Sequence, residues 1–140
     1  MPQSLVKIWV HIVFATKHRE PLIVSEYEPV IHAYLKKILN GKSSRVLAIG
    51  GMSDHVHILC SLPATLSISS LVKFLKGGAS HWFNETYPSL TPLYWQNGYG
   101  AFSISPNNLD KVKTYVDRQK EIHTKRTLDQ ELTLIAKRYE

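Results

Sequence analysis

The sequence has one cysteine, no long hydrophobic run and fewer acidic than basic residues. Because Cys60 stands alone, a disulfide within the chain is excluded, and we expect a reducing, cytoplasmic location. No apolar run approaches the roughly 18 residues of a membrane-spanning helix, so a transmembrane protein is excluded and no membrane partner is expected. The apolar residues 8–15 form a short run that contains His11, and they predict a strand rather than a signal peptide.

Basic residues number 17 and acidic residues 11 in a chain of 140, which gives a formal net charge of +6. This surplus favours a polyanionic partner, although charge alone does not distinguish nucleic acid from anionic lipid. The length suits one compact domain, and no repeat, low-complexity tract or linker divides the chain. We therefore expect residues 1–140 to form a single domain.

Hydrophobic spacing predicts six elements in the order β-α-β-β-α-β. The predicted strands cover residues 5–15, 45–52, 55–62 and 93–105. One predicted helix follows the capping-box sequence at Ser25, and the other runs from Ser67 to a point before Pro88. This order is typical of the α+β, ferredoxin-like fold, in which an antiparallel sheet carries both helices on one face.

Two extra C-terminal helices are predicted after the sheet. Residues 105–108 favour a helix start, and apolar residues follow at helical spacing. Thr127 and Gln130 have the spacing of a capping box for a short last helix. We expect these helices to stand outside the ferredoxin-like unit and the second face of the sheet to be open.

Two histidines share one face of the third predicted strand. Strand alternation makes His55 and His57 project side by side, and two parallel imidazoles form half of a metal site. His11 of the first strand lies on the same face, whereas the opposite face of both strands is aliphatic. The histidines are therefore expected on the open side of the sheet. Asp54 adjoins the pair but has the opposite strand parity, so no carboxylate is placed to complete a site.

Tyr115 and Gln119 are four residues apart on the first extra helix. This spacing puts both on the same side of the helix, one turn apart, where they can share a site. Taken alone, Tyr115 is also typical of an aromatic residue at the edge of a core, and Gln119 of a solvated surface residue.

Four ordered motifs give a more specific pattern. They are ATKHREPL at residues 15–22, DHVHIL at 54–59, WQNGYGAFSIS at 95–105 and YVDRQ at 115–119. With the helix ISSLVKFLKGGASHWF and the tail KRTLDQELTLIAKRYE, they resemble the single-tyrosine HUH transposases of small bacterial insertion sequences, the IS-two-hundred/six-hundred-five type. REP-associated tyrosine transposases are similar but more distant. The resemblance covers nearly the whole chain.

The resemblance implies a DNA transposase that cleaves and rejoins single-stranded DNA, with hairpins near the element ends, by transesterification. Tyr115 would be the nucleophile and carry a 5′-phosphotyrosine, which conserves the bond energy without ATP. His55, His57 and Gln119 would ligate a divalent cation, Mg²⁺ or Mn²⁺. A free phenol has a pKa of about 10, and the sequence does not reveal the group that assists its deprotonation.

A homodimer with composite active sites is also expected, in which the histidines of one subunit face Tyr115 of the other. An exposed sheet face or edge invites a second copy to pair symmetrically. The resemblance adds that related transposases exchange this helix across their dimer. The length of the connection at residues 105–108 does not decide between the two placements.

Scattered basic residues are candidates for DNA contacts, although each alone is typical of a solvated surface charge. They follow the first strand, lie on the second helix or flank the tyrosine. The candidates are Lys17, Arg19, Lys73, Lys76, Lys111, Lys113 and Arg118.

Other functions share parts of this pattern. The main alternative is a domesticated, basic ferredoxin-like nucleic-acid-binding module without mobility, although the histidine pair, Tyr115 and Gln119 are all present. A metalloenzyme of small-molecule redox chemistry would need a carboxylate beside the histidines. Rolling-circle replication initiators fit the motif around Trp95 less well, and conjugative relaxases place their tyrosine before the histidines.

Overall fold

The structure, a computed structural model, describes residues 4–122 and 126–138. The strands are β1 (Trp9–Ala15), β2 (Val46–Met52), β3 (His55–Ser61) and β4 (Gly100–Ile104). The helices are α1 (Glu28–Gly41), α2 (Ile68–Thr86), α3 (Leu109–Asp117), α4 (Gln119–Ile122) and α5 (Leu128–Lys137). Short 3₁₀ turns lie at Lys17–Arg19 and Pro106–Asn108. None of the helices among these residues is both long and apolar enough to span a bilayer.

The four strands form one antiparallel sheet in the order β2-β3-β1-β4. With α1 after β1 and α2 after β3, this order confirms the predicted α+β, ferredoxin-like topology. The central strands are β1 and β3, which are the two strands that carry histidines. Their register pairs Val13 with His57 and His11 with Leu59.

The helices α1 and α2 bury the aliphatic face of the sheet. Ile12 and Ile58 are paired across β1 and β3 and are fully buried there. Leu35 of α1 and Leu75 of α2 pack into the same core. Burying a side chain of this size contributes about 1.5–3 kcal/mol. This layer therefore fixes β1 and β3, and their histidines point away from it.

The second face of the sheet is covered, so the expectation of an open face is wrong. On α3, Val116 packs against Ala48 and Leu59. On α5, Leu128 packs against Val13 near the end of β1. Because α1 and α2 already occupy the first face, the apolar stripes of the two later helices find their burial on the second.

Two of the predicted strands begin several residues before the observed ones. β1 begins at Trp9, four residues later than predicted. β4 begins at Gly100 rather than at residue 93. The residues before Gly100 do not pair as part of this strand. The backbone of Trp95 forms an isolated β-bridge with Thr16. Buried Leu93 is held through its backbone by the side chain of Asn84 on α2.

Of the two predicted capping boxes, one is formed and the other is not. The predicted capping box at Thr127 and Gln130 is formed at the start of α5, and the Ser67 side chain caps α2. The predicted capping box at Ser25 is absent, since α1 begins later, after Tyr27. Pro29 lies in the first turn of α1, where its missing N–H costs nothing and its fixed φ favours the helix.

Candidate active site

Three imidazoles form a buried cluster on the second face of the sheet. His55 and His57 have no exposed surface, and His11 is 3% exposed. The prediction that they lie on the open side is wrong, because the C-terminal helices close over this face. The predicted grouping itself is confirmed: the rings of His11 and His57 are stacked with centroids 5.1 Å apart.

His11 orients the ring of His57. Nε2 of His11 lies 2.8 Å from Nδ1 of His57. Burial lowers the pKa of His11 to about 4, so this ring is neutral near pH 7 and its Nε2 can accept a hydrogen bond. When His57 donates from Nδ1, its Nε2 keeps a lone pair, which is the form that ligates a metal ion.

Asp54 orients the ring of His55. Its Oδ1 lies 2.8 Å from Nδ1 of His55. An ionised carboxylate only accepts hydrogen bonds, so Nδ1 of His55 carries the proton. The prediction that Asp54 faces away from the pair is wrong, because Asp54 lies in the turn before β3, where strand alternation does not apply.

Gln119 reaches the cluster from a break between two helices. A single helix carrying Tyr115 and Gln119 is predicted, but α3 ends at Asp117 and Gln119 begins α4. The amide is nevertheless fixed, because its Nε2 donates to the carbonyl oxygen of Tyr115 at 3.2 Å. Its Oε1 then lies 3.3 Å from Nε2 of His55.

The contact between the amide oxygen of Gln119 and Nε2 of His55 favours a bound cation. With the proton of His55 on Nδ1, its Nε2 presents a lone pair toward an amide oxygen, and two acceptors repel each other. Either a second proton on the ring or a metal ion between the two atoms removes this repulsion. Imidazole nitrogen and amide oxygen are also ligands that Mn²⁺ and Mg²⁺ accept.

Tyr115 stands against the imidazoles from α3. Its ring centroid is 5.6 Å from that of His57 and 5.9 Å from that of His11, both edge-on. The hydroxyl donates a hydrogen bond to Oε1 of Glu131. Burial, with the hydrogen bond and negative charge of Glu131, raises the pKa of Tyr115. In this state the phenol keeps its proton at neutral pH.

Glu131 of α5 belongs to the same cluster and was missed from the sequence. It is 1% exposed, and its carboxylate lies 3.4 Å from Nε2 of Gln119. The available signal was its position: it lies three residues after Leu128 and four before Ile135, in the apolar stripe of an amphipathic helix. A glutamate in such a stripe is rarely buried without a partner.

A groove of about 710 Å³ leads to Tyr115 between β4, α3 and α5. Three basic side chains line it, Lys111, Arg126 and Arg138, together with Tyr115 and Glu131. Lys111 was a predicted DNA contact, whereas the two arginines were missed. The groove offers an anion a route to the phenol.

The other predicted DNA contacts do not line this groove. Lys73 and Lys76 lie on α2, across the sheet from the cluster, and the ammonium of Lys76 donates to the carbonyl oxygens of Gln96 and Gly98. Lys17 is exposed in the turn after β1.

Three further candidates form surface ion pairs. Arg19 pairs with Asp129 of α5 at 2.6 Å. Lys113 pairs with Asp117 on α3, and Arg118, between α3 and α4, pairs with Glu121 of α4. Exposed ion pairs of this kind exchange partners at little cost. A role for these three residues in DNA contact therefore stays a prediction.

Close packing at Gly50 of β2 sets the position of α3. A Cβ atom there would lie 2.1 Å from the carbonyl oxygen of Val116. We expect Gly50→Ala to push α3 away from the sheet and lower stability by about 1–3 kcal/mol. Denaturant unfolding measures this loss. Gly41→Ala is the control, since nothing lies within 4 Å of its added Cβ; equal stability of both variants would contradict this packing.

Comparison with known proteins places the chain in the class of transposases. Residues 4–119 match the family described as Transposase IS200 like, and the chain belongs to this family. It is 31% identical over 116 residues to the transposase for insertion sequence element IS200 of Salmonella typhimurium, an alignment that covers 79% of this chain and 76% of that one. It is 26% identical over 114 residues to the ISDra2 transposase TnpA of Deinococcus radiodurans, covering 78% of this chain and 81% of that one.

Solved structures share the fold. A crystal structure of a Deinococcus radiodurans protein described as a transposase superposes with a TM-score of 0.66 at 22% identity, covering 85% of this chain and 95% of that one. A REP-associated tyrosine transposase bound to a REP hairpin gives a TM-score of 0.54 at 19% identity, covering 84% of this chain and 67% of that one. The family match ends at Gln119, so α5 and Glu131 lie beyond it.

Proposed function

We propose that this transposase cleaves and rejoins single-stranded DNA through a 5′-phosphotyrosine at Tyr115. The observation that carries the proposal is the position of the phenol, beside His57 and in the lining of a groove that basic side chains also line. Membership of a transposase family makes a phosphodiester the expected substrate. A tyrosine is then the nucleophile that conserves the bond energy needed to rejoin strands.

The proposed cleavage step exchanges one phosphate ester for another and needs no cofactor that supplies energy. Oη of Tyr115 bonds to phosphorus, and the bond from phosphorus to the 3′-oxygen breaks. The 3′-oxygen takes up a proton from solvent water and leaves as a hydroxyl. The phenolic proton passes to Glu131, which already accepts its hydrogen bond. In rejoining, a 3′-hydroxyl attacks the same phosphorus and loses its proton to solvent water. The bond from phosphorus to Oη breaks, and the proton held by Glu131 returns to the phenol.

His55, His57 and Gln119 are proposed to hold a divalent cation, Mg²⁺ or Mn²⁺. Their donor atoms fit this role because His11 and Asp54 fix the two rings and the Tyr115 carbonyl fixes the amide. When bound, such an ion neutralises charge on the phosphate and polarises the oxygen that leaves. Imidazole ligands favour Mn²⁺, and cellular abundance favours Mg²⁺.

Single-stranded DNA with hairpins near the element ends is the proposed substrate, handled in the cytoplasm. Lys111, Arg126 and Arg138 line the groove, and their charges would neutralise phosphates bound along it. One of the structural relatives, the REP-associated tyrosine transposase, is bound to a REP hairpin, which supports a substrate of this kind. The test is covalent capture of oligonucleotides from both flanks of the gene.

The homodimer with composite sites stays a prediction. Within the single chain, Tyr115 lies against its own His57, and Val116 packs on its own β2. Helix exchange between two copies would preserve these contacts while moving them between subunits, as domain swapping does. The arrangement is therefore decided by mixing inactive subunits.

We expect a mixture of Tyr115→Phe and His57→Ala proteins to recover cleavage. With composite sites, each heterodimer has one site with both defects and one with neither, so random exchange restores about a quarter of the wild-type sites. Cleavage is measured after subunit exchange, with native mass spectrometry to count heterodimers. An inactive mixture that contains heterodimers would show that Tyr115 acts with the histidines of its own subunit. A protein that is monomeric both with and without DNA would exclude the dimer.

A further inference from the structure

We propose that Glu131 is a fourth protein ligand of the metal site, supplied by a helix outside the segment matched by the family. This inference rests on the proposed function, since it concerns the cation held by His55, His57 and Gln119. It adds to that site a residue which neither the sequence motifs nor the family match contains.

The positions of the ligand atoms support this assignment. One nitrogen from each of His55 and His57 and one carboxylate oxygen of Glu131 all lie within 4.8 Å of one another. Ligands bound to one ion at about 2.1 Å lie at most about 4.2 Å apart. Shifts of a few tenths of an ångström therefore bring the three atoms around one cation.

Charge supports the same role. The other ligands, two imidazoles and an amide, are neutral when they bind a metal. Mg²⁺ and Mn²⁺ prefer oxygen ligands, and protein sites for Mg²⁺ usually include a carboxylate. A carboxylate that is 1% exposed loses its hydration, and a divalent cation compensates that loss. Glu131 supplies the one negative ligand this set lacks.

The first turn of α5 holds Glu131 in place. The capping box of Thr127 and Gln130 fixes the start of α5. Leu128 packs on the sheet against Val13. A ligand carried on an anchored helix keeps its geometry better than one on a loop.

The same carboxylate connects the nucleophile to the metal site. One oxygen of Glu131 accepts the hydrogen bond of the Tyr115 hydroxyl. Because a carboxylate has two oxygens with several lone pairs, it can hold this hydroxyl and ligate a cation together. Loss of Glu131 is therefore expected to weaken metal binding and to release the phenol.

The experiment measures Mn²⁺ affinity of the full chain by calorimetry, without DNA. We expect Glu131→Gln to bind Mn²⁺ about 10–100-fold more weakly than the wild type. Asp129→Asn is the matched control, since it removes an equal charge from the exposed face of the same helix, and it should bind like the wild type. In Glu131→Ala, water should replace the lost ligand and raise the proton relaxivity of bound Mn²⁺.

Unchanged or tighter binding in Glu131→Gln, with loss in His57→Ala, would overturn the role of Glu131 and leave the histidine site standing. Unchanged binding in both variants would overturn the metal site of the proposed function as well. Thermal melting checks that the variants fold. If Glu131→Gln does not, electron–nuclear double resonance on the ¹³C-glutamate-labelled wild type replaces it: a carboxylate carbon coupled to bound Mn²⁺ supports the proposal, and its absence overturns it.

Discussion

Tyr115→Phe is expected to bind single-stranded DNA like the wild type and to form no covalent adduct. The change removes the one oxygen that would bond to phosphorus and leaves the ring, with its edge contacts to His11 and His57, in place. It also removes a hydrogen bond to Glu131, so the melting temperature should shift by only a few degrees. The expected effect on adduct formation is complete loss.

The measurement uses labelled oligonucleotides from both flanks of the gene and a denaturing gel that separates free from protein-bound DNA. Tyr99→Phe is the matched control, because it removes a phenolic oxygen from a side chain that is 42% exposed. It should form the adduct at the wild-type rate. A denaturation-resistant adduct in Tyr115→Phe would show that another group is the nucleophile.

His57→Ala is expected to abolish cleavage and to weaken Mn²⁺ binding by more than about 100-fold. It removes a proposed ligand and also the partner of His11 Nε2. Truncating a buried side chain lowers stability, so thermal melting must show that the variant is folded at the assay temperature. Calorimetry then reports metal affinity independently of DNA.

His81→Ala, on the exposed side of α2, controls for the loss of a histidine remote from the cluster. Wild-type Mn²⁺ affinity in His57→Ala would reject the site. Loss of binding in His11→Ala alone would mean that His11 is a ligand rather than a group that orients His57.

The strand pattern was enough to predict the central half of the site. Alternation in β1 and β3 put His11, His55 and His57 on one face, and the structure confirms this grouping. Such a prediction succeeds because the period of a strand is two and the aliphatic partner face fixes which side is core. Gln119 was also predicted beside Tyr115, although a helix break now separates them.

The closure over this face could not be predicted in the same way. Local spacing identifies α3 and α5 as amphipathic, but it does not say which surface their apolar stripes will cover. Glu131 was missed for that reason, since its role depends on how α5 docks. Strand alternation predicts the wrong direction for Asp54, because Asp54 lies in a turn. There the direction of a side chain follows the local backbone.

The structure also bears on the redox alternative. That hypothesis lacked a carboxylate beside the histidine pair, and Glu131 supplies one. The transposase family match and the basic groove that leads to Tyr115 favour DNA chemistry instead. If the protein is instead a non-catalytic binding module, the folded wild type should bind single-stranded DNA and form no covalent adduct.

The most direct test of the account is mass spectrometry of the wild-type protein after reaction with single-stranded DNA from its flanks and nuclease trimming. If Tyr115 is the nucleophile, a peptide containing Tyr115 carries a nucleotide through a 5′-phosphotyrosine bond, and the released strand has a free 3′-hydroxyl. Cleavage that yields a free 5′-phosphate and no modified peptide, or a nucleotide attached to a different residue, would contradict it.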